Sequence, residues 1–200
     1  MTADVLSELY RILTVRSSWI SILGFAFLGV ATAWFSPEFW SMFAGMGGFG
    51  VAALTTAQHY QHRTVVLLLL GRPRRVRALI VQSVTAALLT IPPAAVSGLA
   101  VLRDGTPGSY LWTLAAVPVM AVFGVAGATV VRRPVWLLAG WGLWLLVVEG
   151  LLGQLDAPLP FSAYLSAAAG DRHGFGVLLL WAGAGFLAGA VSIRRDLSGD

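Results

Sequence analysis

The chain has 200 residues, 58% of them hydrophobic, with a mean hydropathy of +0.81 and a formal net charge of +4. That composition leaves room for one membrane domain, residues 1–200, and for no sizeable soluble one. All 13 basic residues are arginine and cysteine is absent, which excludes a phosphate-binding loop ending in Gly-Lys-Ser/Thr, a disulfide framework and a thiolate site.

Residues 3–16 read as an amphipathic helix. Val5, Leu9, Ile12 and Leu13 fall on one face, and Asp4, Ser7, Glu8, Arg11 and Thr14 largely on the other. Such a helix is expected to lie along the inner membrane surface. Six apolar runs follow, at 19–35, 43–57, 78–102, 111–131, 135–155 and 175–193. A hydrocarbon core of about 30 Å takes about 20 helical residues, so most runs suffice and the second needs its flanks. Ala31-Thr32-Ala33 has the form of a cleavage site. The long segment before it carries Asp4 and Glu8, so the first run is expected to be a retained span.

The second run is dense in Gly45, Gly47, Gly48, Gly50, Ala52 and Ala53. Helices in lipid associate through close backbone packing, so Gly47, Gly48 and Val51 are candidates for contact with a second subunit. Packing within the chain is the alternative, here and for Gly185 and Gly189 in the last run. After the second run, residues 60–77 carry a six-residue apolar core at 65–70, too short to cross a bilayer. Gly71 and Pro73 break any helix there, and Arg72, Arg74, Arg75 and Arg77 surround them. A short cytoplasmic helix is expected, and Leu67, Leu68 and Leu69 need cover, since full exposure costs about 1.5–3 kcal/mol each.

Pro92-Pro93 and Pro118 predict kinks in the third and fourth spans, static or hinged. Residues 150–174, interrupted by Pro158 and Pro160, read as one or two short helices dipping into the outer leaflet. Asp171-Arg172-His173 then returns to water. Glu149 is the one acid inside an apolar run, and marks either a polar site for transport or a cap on a neighbouring helix. His59 and His62 lack carboxylate or thiolate partners in sequence, so no metal site is expected.

The arginines fix an orientation. Arg11, Arg16, Arg63, Arg72, Arg74, Arg75, Arg77, Arg132, Arg133, Arg194 and Arg195 fall in alternate gaps, and only Arg103 and Arg172 fall in the others. Basic residues near span ends favour the cytoplasm, so six spans with both termini inside are expected. The same argument assigns the basic charge to topology rather than to nucleic-acid binding.

Together these features resemble the permease subunits of type-2 ATP-binding-cassette exporters. Two stretches carry the likeness. Ser7-Glu-Leu-Tyr-Arg-Ile-Leu-Thr-Val-Arg-Ser-Ser-Trp19 is similar to the family's opening segment, a Glu-Leu pair and basic residues before the first span. His59-Tyr-Gln-His-Arg-Thr64, the short apolar run and Arg72-Pro-Arg-Arg75 are similar to its coupling segment after the second span. The resemblance implies an all-α bundle in a bacterial plasma membrane, forming an export pathway with a second permease. A separate ATPase, carrying ATP and Mg, would dock at Thr64, Leu67, Leu68, Leu69, Arg72, Pro73, Arg74 and Arg75. The chain itself would bind no cofactor and catalyse nothing. Two positions depart from the pattern: the family's acidic residue falls on His59 and a basic one on Gln82. The ion-pair links those residues would make are thus in doubt, and the chain fits one half of an unequal pair. A non-transporting accessory subunit is the alternative.

Overall fold

Prolines punctuate the fold. The computed structural model describes residues 2–61, 75–104, 107–153 and 157–195, and no strand occurs among them. The helices are α1 (Thr2–Thr14), α2 (Arg16–Ala33), α3 (Pro37–Gln61), α4 (Arg75–Ser97), α5 (Pro107–Val131), α6 (Pro134–Leu143), α7 (Pro160–Ala168) and α8 (Arg172–Arg195). A 3-10 turn over Gly98–Asp104 extends α4, and a wider π-helical segment over Trp144–Leu152 extends α6. Four helices begin on proline, which suits a first turn because its missing N–H has no partner there anyway. Pro92, Pro93 and Pro118 lie inside α4 and α5, which run on as assigned helices.

Among the described residues, four stretches are long and apolar enough to cross a membrane: Val76–Arg103, Pro107–Val131, Pro134–Leu152 and Arg172–Arg194. The α1–α2 pair, bent by 82°, makes a fifth if counted as one span. The chain is therefore an all-α, multi-pass membrane protein. Six spans are expected from the sequence; the first run, in α2, counts only when joined to α1, and α3 does not count. Its 25 residues reach far enough, but its glycines, threonines and glutamines dilute its apolarity.

The bundle is built around α5, which packs against α3, α4 and α8 and more lightly against α6 and α7. Small residues make this possible. A Cβ on Gly124 would come within 2.6 Å of the Phe49 carbonyl oxygen, so α3 and α5 meet backbone to backbone. Gly185 faces Phe123 and Gly189 faces Ala126, so the small-residue repeat of α8 is used inside the chain. By contrast, only 11% of the α6 span is buried. Trp141 anchors it, stacked on Phe49 at 4.6 Å and edge-on to Phe123 at 5.5 Å.

Short turns set the helix ends. Arg132, at φ 58°, closes the turn from α5 into Pro134, and Gly170, at φ 99°, ends α7 without the strain a side chain would bring. Asp171 caps α8, its carboxylate accepting from the N–H groups of His173 and Gly174 at 2.9 Å each. Those bonds, Gly174's foremost, hold its carboxyl below the ordinary carboxylate range.

Candidate functional site

Two buried glutamates lie at opposite ends of the bundle, and each organises one end. At the α7 end, Glu149 sits in the π-helical segment, where Gly153 N–H reaches back five residues to the Val148 carbonyl at 2.8 Å. Such widened turns recur at functional positions in helices. The Glu149 side chain is fully buried. Its Oε1 accepts from Trp144 Nε1 at 3.0 Å and from the Phe161 N–H at 3.2 Å. Its Oε2 accepts from the Ser162 N–H at 2.7 Å and from Ser162 Oγ at 2.8 Å.

These four donors explain why an acid is tolerated in an apolar run. Phe161 and Ser162 are the second and third residues of α7, and the residue before that helix, Leu159, has no side-chain oxygen with which to cap it. Pro160 has no N–H to satisfy. Glu149 therefore supplies from another element the cap that Leu159 lacks. Of the two sequence readings of Glu149, its contacts are those of the cap.

Other bonds fix α7 in place. Tyr164 donates its hydroxyl to the Ser41 carbonyl at 2.7 Å, and its ring lies so close to Gly45 that no Cβ would fit there. Phe161 stacks on Tyr164 at 5.8 Å, and Trp181 Nε1 donates to the Pro158 carbonyl at 2.9 Å. Nearby, Trp40 donates to Ser97 Oγ at 3.1 Å and stacks on Tyr110 at 5.6 Å. The result is an end closed by a short helix seated across α3 and α8.

At the α1 end, Glu8 is buried beside Ile12, although the sequence pattern assigns it to the polar face of α1. Leu6 and Tyr10 point outward instead. The expectation that α1 simply rests on the membrane surface is thus incomplete, because α1 also docks on the bundle. Arg77 of α4 pairs with Asp4 at 2.7 Å, and Arg11 pairs with Glu8 at 2.8 Å. Burial of Glu8 is supported by a small polar chamber it shares with Thr55, Thr56, Gln82 and Thr85. The chamber holds about 10 Å³, enough for roughly one water. Thr85 Oγ1 is buried there with no hydrogen-bond partner among the described residues.

The other residues singled out in the sequence fall as follows. Thr64, Leu67, Leu68, Leu69, Arg72, Pro73 and Arg74 lie outside the described residues, as does the side chain of His59; Arg75 opens α4. Gly47 faces the Phe25 ring with no room for a Cβ, and Gly48 faces Val117, where a Cβ would sit 3.1 Å from Cγ1. Val51 is buried. The glycine face of α3, expected to meet a second subunit, is taken up by α2 and α5 of the same chain. Close approach is indeed what the small residues allow, but glycine spacing does not name the neighbour.

Sequence reasoning missed Trp144, Ser162 and Tyr164 as the surroundings of Glu149, and the Asp4–Arg77 tie. One signal was present. A helix opening Leu-Pro-Phe-Ser has no capping side chain at its start, and Glu149 stood out as the one acid inside an apolar run. No protein-family model matches the chain, and no curated protein is significantly similar to it.

Proposed function

We propose that the chain is the membrane-spanning subunit of an ATP-driven exporter, with six spans, both termini in the cytoplasm and the α7 end outside. It forms the substrate path with a second permease, the same chain or a relative, and is driven by a separate ATPase docking at Thr64–Arg75. The observation that carries this reading is the Asp4–Arg77 tie. It links α1, bent 82° from α2, to the first turn of α4, the helix that emerges from the proposed docking segment. A push on that segment would thereby reach α1, α4 and the central helix α5 together. ATP binding by the partner would shift an inward-facing to outward-facing equilibrium through contacts that differ between the two states. The 11-to-2 arginine split supports the orientation.

The test is recovery of the partner. Leu68→Asp or Leu69→Asp should reduce the ATPase recovered with the detergent-solubilised chain while leaving membrane insertion intact. Strong ATP hydrolysis by the purified chain alone would contradict the reading. A second reading, an accessory subunit without a path of its own, is favoured by one observation: the α3 glycine face is filled within the chain. A fully functional particle containing a single permease would establish that alternative.

A further inference from the structure

A second feature of the α7 end is a cleft of about 500 Å³ that Glu149 does not reach. Glu38 and Phe39 of the first turn of α3, Ser41 and Met42, Ser109 of α5, Leu165 of α7 and Ala169 just past its end line it. Its walls are mainly apolar, and its size is in the range that takes a small organic ligand. Glu38 is the one ionisable side chain among these. Its carboxylate makes no hydrogen bond or ion pair among the described residues; its backbone carbonyl alone is engaged, by Ser41 Oγ at 2.8 Å.

We propose that this cleft binds an amphiphilic organic cation, an ammonium or phosphonium centre carried on an apolar body. Charge complementarity selects the cation: an acid at the lip of an apolar cavity attracts a positive centre and repels an anion of the same shape. Phe39 and Met42 offer a ring and a polarisable sulfur to the poorly hydrated body of such a molecule. A neutral apolar molecule would leave Glu38 unused, and a compact hydrated cation would leave most of the wall unused. The ammonium can come from a free amphiphile or from the ethanolamine headgroup of a lipid. The proposal stands on the cleft alone and not on the exporter reading. Loss of binding would leave ATPase recovery untouched, and the reverse holds for Leu68→Asp.

The experiment measures equilibrium binding of tetraphenylphosphonium to the full chain in phosphatidylglycerol nanodiscs, with empty discs subtracted. Tetraphenylborate serves as the control of like shape and opposite charge. Saturable phosphonium binding is expected, weakened roughly five- to tenfold in Glu38→Gln, a size typical for one partly solvated charge. Ala169→Trp, which fills the cleft, should abolish it in a protein that still elutes as a single species. Repeating the measurement in phosphatidylethanolamine separates the sources. Competition there assigns the cleft to the lipid headgroup, and unchanged binding assigns it to a free cation. Equal affinity in the wild type and Glu38→Gln would overturn the proposal, as would borate binding as tight as phosphonium.

Discussion

The two ends of the bundle each bury a glutamate, and they solve the problem in opposite ways. Glu149 is met by four donors, two of them backbone N–H groups of a helix that has no other cap. Glu8 is met by Arg11 of its own helix and lines a polar chamber with room for water, where the Thr85 hydroxyl has no partner among the described residues. The Glu149 network thus pairs both carboxylate oxygens with donors, whereas the chamber at the α1 end holds a buried hydroxyl, that of Thr85, with no partner among the described residues. Networks of the first kind rigidify, and those of the second kind tolerate rearrangement at small cost.

The largest effect should come from Glu149. Glu149→Ala leaves two backbone donors, an indole and a hydroxyl unpaired in a buried site, at about 1–3 kcal/mol for each group that water cannot reach. Thermal unfolding in detergent should show a loss of several kcal/mol, with proteolysis gained near α7. Glu149→Gln should fall between Ala and wild type, because its amide NH2 must face donors on one side. An unchanged transition for Glu149→Ala would dissolve the contrast between the ends.

Tyr164→Phe should cost less. It removes the one hydroxyl bond to the Ser41 carbonyl while keeping the ring that fills the space beside Gly45, so about 1–2 kcal/mol is expected. Cysteine pairs placed across α3 and α7 would report whether α7 leaves its seat; cross-linking as efficient as in the unmodified Tyr164 background would show that the Tyr164–Ser41 bond does not hold α7 in place.

How much of this contrast was legible in the sequence depends on how far apart the partners lie. Membrane class and the four apolar helices follow from run length and hydropathy, which are local properties. The amphipathic period of residues 3–16 gave a helix, but it could not say that Glu8 would turn inward. That depends on Thr55, Thr56, Gln82 and Thr85, delivered by two other helices. Glu149 stood out as an acid in an apolar run, yet its partners arrive 12 and 13 residues later as backbone N–H groups, which no side-chain pattern encodes. Gly47 and Gly48 announced close packing without naming Phe25 and Val117 as what they touch.

Smaller effects belong to the α1 end. Asp4→Asn or Arg77→Gln should cost under about 1 kcal/mol, because the pair is partly exposed and screened by salt. Hydrogen exchange of the α1 amides should rise in both variants, and rising salt should reproduce the change in the wild type. A loss as large as that of Glu149→Ala would mean the α1 end is as tightly built as the other. The smallest effect is expected from Thr85→Val. Replacing an unpartnered buried hydroxyl by a methyl of similar shape should be near neutral or slightly stabilising, as read from the unfolding midpoint. Marked destabilisation would show that the hydroxyl is bonded after all, through water.

The proposed exporter requires the α1 end to face the cytoplasm and the α7 end to face outside. The chain has no cysteine, so single cysteines report without background. With Asp104→Cys at the α7 end and Arg75→Cys at the α1 end, an impermeant thiol reagent is added to intact cells and again after permeabilisation. Labelling of position 104 from outside, and of position 75 only after permeabilisation, is the predicted result; labelling of position 75 in intact cells with position 104 protected would contradict it.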